Sequence, residues 1–71
     1  MKIEFKGPYE LNFTIPEDPE GVTCEYNPGD VEDVNVDDGE IGKHAQLTTN
    51  WITGVAYVDP DFWKNVRVLK P

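Results

Sequence analysis

Apolar and polar residues alternate over the first part of the chain. Every second residue from 9 to 15 is apolar, and residues 2–6 alternate in the same way. A period of two is typical of a β-strand that buries one face. Because Gly7-Pro8 supplies a turn, residues 2–15 are predicted to form a β-hairpin with Phe5 opposite Tyr9. This register places all the apolar side chains on one face.

The next stretch is predicted to form a second pair of strands around a tight turn. Two prolines and a glycine in residues 16–21 predict a loop, since proline disrupts helices and central strands. Residues 22–26 predict a strand, and Asn27-Pro28-Gly29-Asp30 is a strong turn signal. The pattern over residues 31–36 is ambiguous, and a strand there would pair with residues 22–26. In a regular strand Val31 would point to the opposite face from the later valines. A bulge near Val31 would account for this difference.

The rest of the chain, from residue 38 onward, predicts a turn, two further strands and a helix. Asp38-Gly39 is a favoured hairpin turn, whereas residues 40–50 fit either a ragged strand or one helical turn. Residues 51–58 are rich in β-branched and aromatic side chains, which predicts a strand. Gly54 within it marks either a close approach of another segment or a bulge.

A short helix is predicted over residues 59–65, because Asp59 can cap it and Pro60 suits its first position. Residues 66–70 would form a closing strand. The fold class is therefore mainly β, an antiparallel sheet of hairpins with one short helix near residues 59–65, in a single domain over residues 1–71. A small α+β fold is the alternative.

The core is expected to combine the apolar faces of the first hairpin and of residues 51–58, with both tryptophans buried. Tyr26, Phe62 and Trp63 would cover it. Eight aromatic residues are a generous supply for a chain of 71 residues, so the sequence predicts a folded protein despite its acidity.

Charge is segregated along the sequence. The formal net charge is −8, and ten of the fourteen carboxylates lie between residues 17 and 40, where no Lys, Arg or His occurs. Such a segment predicts an acidic, partner-binding surface. Its residues are Glu17, Asp18, Glu20, Glu25, Asp30, Glu32, Asp33, Asp37, Asp38 and Glu40.

The acidic segment favours a basic protein as partner and disfavours direct binding of nucleic acid, whose phosphates a negative protein would repel. A field of this sign steers and speeds encounter with a basic surface. Alternate carboxylates on one strand face lie about 6.6–6.8 Å apart and would resemble a row of phosphates. In size, charge and β-content the chain resembles small acidic phage-encoded inhibitors of restriction, repair or CRISPR enzymes, which implies an inhibitory DNA mimic.

A different class of function is a structural or assembly module, such as a virion or complex component. Such a module would bind through a sheet edge or exposed aromatic residues, and the acid would serve only solubility. Ionic strength separates the two hypotheses, because salt screens exposed charges but not an apolar interface.

Catalysis is not expected. The chain has no serine, and Cys24 and His44 are its only thiol and imidazole groups. Surrounding carboxylates oppose formation of the thiolate that a Cys–His pair would need. A chain of this length hardly encloses a substrate cleft. We therefore predict a non-enzymatic protein without a cofactor.

The ligand spacing disfavours an EF-hand calcium site. Residues 33–39 begin like an EF-hand loop, but Gly39 comes one position late and His44 stands where a bidentate Glu is required. No metal site is predicted, and a looser divalent-cation site remains the alternative. It would use Asp30, Asp33, Asp37 and Asp38.

The expected location is the cytoplasm, with no membrane partner. The first residues lack the apolar run of a signal peptide. No stretch approaches the roughly 20 apolar residues that span a bilayer. A single cysteine fits a reducing compartment.

Overall fold

The alternating stretches of the sequence form strands in the computed structural model, which describes residues 1–37 and 40–70. Within these residues the chain is mostly β, with seven strands and one short helix, which confirms the predicted fold class. The elements are β1 (Lys2–Phe5), β2 (Tyr9–Ile15), β3 (Asp18–Tyr26), β4 (Val31–Asp37), β5 (Ala45–Thr49), β6 (Val55–Val58), α1 (Pro60–Lys64) and β7 (Val66–Lys70).

The strands form one antiparallel sheet in the order β3-β2-β6-β5-β4-β1-β7. β4 pairs with a different strand along each half of its length. Its first half pairs with β1, where Ile3 lies opposite Glu32, and its second half pairs with β5, where Val36 lies opposite Leu47. β3 and β7 stand at the two ends of the order, so each has a single neighbouring strand among those described.

The predicted hairpin over residues 2–15 is wrong. β2 pairs with β3, where Tyr9 lies opposite Tyr26, while β1 lies between β4 and β7. Backbone bonds tie β1 to the turn before β4: Phe5 N–H donates to Asp30 O at 2.9 Å, and Gly29 N–H donates to Phe5 O at 2.8 Å. The alternation of apolar and polar residues determines which face of each strand is buried. Pairing of β2 with β1 or with β3 buries the same face, so alternation does not select the partner strand.

The turn at residues 27–30 forms as predicted, but the strands on either side of it do not pair with each other. Asp30 N–H donates to Asn27 O at 3.0 Å, and Asn27 N–H donates to the Asp30 carboxylate at 2.8 Å. β1 occupies the place beside β4 that β3 was expected to fill. β4 keeps a regular register, so Val31 faces outward without the predicted bulge.

The loop predicted for residues 16–21 is much shorter in the structure, because β3 already begins at Asp18. Pro19 is tolerated there since an edge strand has no neighbour on one side to receive its missing N–H. The register shifts between Phe13, opposite Val22, and Ile15, opposite Asp18. Residues 19–21 thus face Thr14 alone, and Gly21 adopts the positive φ of 80° that this bulge needs.

The sheet curls so that strands distant in its order meet inside. The ring of Phe5 on β1 stacks on Tyr26 of β3 at 4.2 Å, although these strands lie near opposite ends of the sheet. Phe62 of α1 contacts Phe5 and Tyr9 edge-on, at centroid distances of 6.1 and 5.5 Å. The helix therefore packs Phe62 against β1 and β2 inside the curl of the sheet.

The expected core is correct for β1 and β2 but wrong for Trp51. That side chain is 54% exposed, in a bent segment that precedes a strand beginning only at Val55. Tyr26, Phe62 and Trp63 belong to the core itself. The buried hydrophobic residues are Ile3, Phe5, Leu11, Phe13, Tyr26, Val34, Ala45, Leu47, Ala56, Val58, Phe62, Trp63 and Val66.

The predicted helix and closing strand are confirmed. The Asp59 carboxylate accepts from Phe62 N–H at 3.2 Å, and Pro60 occupies the first helical turn. Gly54 marks a close approach, since a Cβ there would come within 2.7 Å of Ile15 Cγ2. The turn predicted at Asp38-Gly39 lies outside the described residues. No described helix has the length and apolar character needed to cross a bilayer.

Candidate functional site

The acidic residues predicted to bind a partner separate into two groups, one in and beside β3 and the other in and beside β4. Three strands, β2, β6 and β5, lie between β3 and β4 in the sheet. Asp38 lies outside the described residues. The β3 group is defined as the carboxylates of β3 and its flanking segments, and the β4 group as those of β4 and the residue beyond it. The β3 group consists of Glu17, Asp18, Glu20, Glu25 and Asp30, of which Asp30 lies in the turn that leads into β4, and the β4 group consists of Glu32, Asp33, Asp37 and Glu40.

The β3 group carries uncompensated charge. In the part of the chain that the structure describes, the ion pairs join Asp33 to the N-terminal amine, Glu40 to Lys43, Asp61 to Lys64 and Glu4 to Arg67. None of these pairs uses a carboxylate of the β3 group. Asp18 is half-buried, and the other four members of the group are exposed.

Glu10 extends the β3 group, although the sequence pattern missed it. It lies directly opposite Glu25 in the pairing of β2 with β3, and both side chains are exposed. Like charges placed across a strand pair repel each other. The pairing of β2 with β1 that the sequence suggested kept Glu10 away from this surface, so no local signal would have found it.

Glu32 differs from the rest of the β4 group, because it is half-buried and holds two aromatic side chains. Its Oε2 accepts from the Tyr26 hydroxyl at 3.1 Å and from Trp51 Nε1 at 2.8 Å. Hydrogen bonds to a carboxylate are stronger than those between neutral groups. Glu32 therefore fixes the orientation of the exposed Trp51 ring rather than offering its charge to a partner.

The same environment raises the pKa of two neighbouring side chains. Burial, and then the charge of Glu32, raises the pKa of Tyr26 well above its ordinary range. Burial, with a further contribution from Glu32, also raises the pKa of the half-buried Cys24 thiol. Both shifts keep the proton on the side chain, so Cys24 is held in its less nucleophilic thiol form.

The outer face of the sheet between the two acidic groups carries no charge. On β5 and β6 it presents Gln46, opposite Tyr57, and Thr48, opposite Asn35 of β4. Tyr57 is 71% exposed near the middle of this face. The surface is therefore polar and uncharged at its centre, with carboxylates toward β3 on one side and β4 on the other.

A shallow groove of about 720 Å³ lies at the ends of β2, β5 and β6. Threonines, Asn50 and the aliphatic side chains of Ile15 and Ile52 line it, and none of the lining residues is titratable. The hydroxyl of Thr49, one of these residues, is buried without a hydrogen-bond partner in the described part of the chain. The groove thus offers surface for contact, without an acid or a base.

A metal site is not assembled from the residues that the structure describes: no three His, Cys, Asp or Glu side chains come together as ligands. One of the four carboxylates named for a divalent cation, Asp38, lies outside those residues. No family model, curated protein or solved structure matches the chain. The surface itself therefore provides the argument for function.

Proposed function

We propose that this chain is a non-enzymatic acidic binding protein that docks onto a basic surface of a partner protein through residues 17–40. The observation that carries the proposal is the β3 group, because none of its five carboxylates forms an ion pair with a described cation. Unpaired surface charge acts at a distance of about 8–10 Å and accelerates encounter with a surface of opposite sign.

The finer form of the proposal is that the partner binds nucleic acid and that this chain inhibits it as a DNA mimic. Small size, a net charge of −8 and a mostly β fold support an inhibitor of the phage type, such as an anti-CRISPR or anti-restriction protein, acting in the cytoplasm. On the outer face of β4, Asn35 separates Asp33 from Asp37, so these carboxylates lie about 13 Å apart along the strand. Mimicry would therefore use the two separate acidic groups rather than one continuous row.

A second candidate is a structural or assembly module that binds through a sheet edge or exposed aromatic residues. The large exposed side chains of Trp51, Tyr57 and Leu69 favour it. In that case the acid would serve only solubility, and the interface would not respond to salt.

Capture of partners from a lysate of the natural host, at low and at moderate ionic strength, tests the proposal. We expect a captured basic protein to be released at moderate ionic strength. A variant with Glu17→Gln, Glu20→Gln and Glu25→Gln should not capture it even at low salt. The matched variant with Glu→Asp at the same three positions keeps the charge and should retain it.

The two candidates predict opposite results in this experiment. A partner that stays bound at moderate ionic strength, and to the Gln variant as well as to the parent protein, would contradict electrostatic docking and favour the assembly module. Circular dichroism of each variant confirms that the fold is intact.

A further inference from the structure

The two ends of the sheet each leave one side of a strand unpaired. Among the described strands, β3 pairs only with β2, and β7 pairs only with β1. Unpaired N–H and C=O groups along an edge are a template for another strand. Natural proteins commonly blunt such edges with lysine, proline or a bulge, so the distribution of these features shows which part of an edge stays open.

Only the first half of β3 is protected against pairing with another strand. Pro19 and the bulge at Gly21 interrupt residues 18–21. Residues 22–26 run in unbroken register with β2 and contain no proline, glycine or lysine. Five regular residues match the length of a common strand, about 5–6 residues. The open part of the edge therefore suits one added strand.

Charge distinguishes the two edges. Residues 17–30, which include β3, carry the five carboxylates of the β3 group and no cation. β7 contains no carboxylate, and its Arg67 pairs with Glu4 of β1. An incoming basic strand is therefore favoured at β3 over β7.

The side chains of β3 also define a pattern for the incoming strand. Thr23 and Glu25 are exposed, whereas Val22 and Cys24 are half-buried and Cys24 packs against the core. Side chains at adjacent positions of neighbouring strands point to the same face of the sheet. A Lys or Arg beside Glu25 would relieve its apposition with Glu10, and a small apolar residue would extend the contact with Val22 and Cys24.

We propose that the partner adds an extended segment, in which Lys or Arg alternates with small apolar residues, as a β-strand along residues 22–26. This inference rests on the proposed function and specifies its binding mode. Main-chain hydrogen bonds contribute affinity, and the alternate side chains contribute specificity. A second copy of the chain is a weaker occupant, because each copy carries a net charge of −8 and the copies repel.

The test uses a fluorescently labelled peptide of alternating lysine and valine, about seven residues long. Its matched control has the same sequence, with N-methyl groups on the backbone amides of both edges, so that charge and side chains are kept and neither edge can donate hydrogen bonds to β3. At low ionic strength we expect the control to bind at least about tenfold more weakly, because several main-chain hydrogen bonds are lost.

Two further measurements locate the site. Amide hydrogen exchange of residues 22–26 should slow when the unmodified peptide binds. Glu25→Gln should weaken binding, whereas Asp61→Asn, which removes one exposed carboxylate from α1, should leave it unchanged.

The outcomes separate this inference from the proposed function. Equal binding of both peptides would overturn strand addition and leave electrostatic docking in place. Absence of binding by either peptide at low ionic strength would overturn both. A protein whose β3 edge is already protected from exchange in a dimer, as judged by sedimentation, would assign the edge to a second copy and overturn the inference.

Discussion

Glu32 belongs to the acidic segment by its position in the sequence, but its side chain does not contribute to the acidic surface. Its charge belongs to the acidic segment, but its side chain is half-buried and accepts hydrogen bonds from Tyr26 and Trp51. A partly buried charge is tolerated when it is hydrogen-bonded. The result is a link between β3, β4 and the segment before β6.

Tyr26 gives this link a dependence on alkaline pH. Its pKa is raised from the ordinary 10.0, chiefly by burial and then by Glu32. Above pH 10 the native protein then holds more protons than the unfolded chain. The stabilisation is therefore complete below pH 10 and is lost as pH rises through the native pKa. Tyr9, whose pKa burial also raises, contributes in the same direction.

We expect Tyr26→Phe to lower the free energy of unfolding at neutral pH by about 1.5–3 kcal/mol, through loss of a hydrogen bond to a charged group. It should also weaken the fall in stability above pH 10. Urea unfolding at pH values from about 7 to 11 measures both effects. The exposed Tyr57→Phe is the control, expected within about 0.5 kcal/mol of the parent protein. An unchanged pH dependence in Tyr26→Phe would contradict the assignment.

At the scale of the element, β3 depends on a bulge that only glycine permits. Gly21 has a φ of 80°, and a Cβ there would lie 2.5 Å from Phe13 O and 2.6 Å from Asn12 Oδ1. Gly29 has a φ of 90° but open space around it, and Gly7 has open space without a positive φ. These three positions therefore separate steric overlap from backbone strain.

Gly29→Ala should destabilise the protein by about 1–2 kcal/mol through backbone strain alone. Gly21→Ala should cost more than Gly29→Ala, because the overlap with β2 adds to the strain, and Gly7→Ala should be nearly neutral. Urea denaturation of the three variants provides the ranking. Equal losses for Gly21→Ala and Gly29→Ala would mean that β2 and β3 move apart without cost.

At the scale of the molecule, the curled sheet holds a chain with a net charge of −8 together with few described ion pairs. Repulsion among exposed carboxylates, including Glu10 and Glu25, opposes the compact state. Salt screens this repulsion. Added sodium chloride should therefore stabilise the folded protein.

We expect the melting temperature to rise with salt, by about 4–8 °C for each kcal/mol of repulsion removed. The double variant Glu10→Gln, Glu25→Gln should melt higher than the parent protein at low salt and gain less from added salt. Thermal melts followed by circular dichroism measure both effects. A melting temperature that does not change with salt would show that the carboxylates do not interact strongly.

Much of the candidate site lay beyond prediction from the sequence. The charge run identifies residues 17–40 as acidic, and most of its described side chains are exposed. It did not predict that Glu32 turns inward, that Glu10 joins the surface, or that three strands separate the two acidic groups. These features depend on which strands are neighbours, and charge along the chain holds no information about that.

The sequence by itself determined the local structure: the alternation that makes strands, the Asn27–Asp30 turn, the Asp59 cap of the helix and the net negative charge. Only the tertiary structure decided that β1 pairs with β4 and β7, and that Trp51 stays exposed. The physical reason is the separation along the chain between the residues that interact. Alternation, turns and caps are interactions within a few residues, and a period of two fixes the buried face of a strand. Strand pairing joins residues far apart in the chain, and any partner that covers the same face satisfies the pattern.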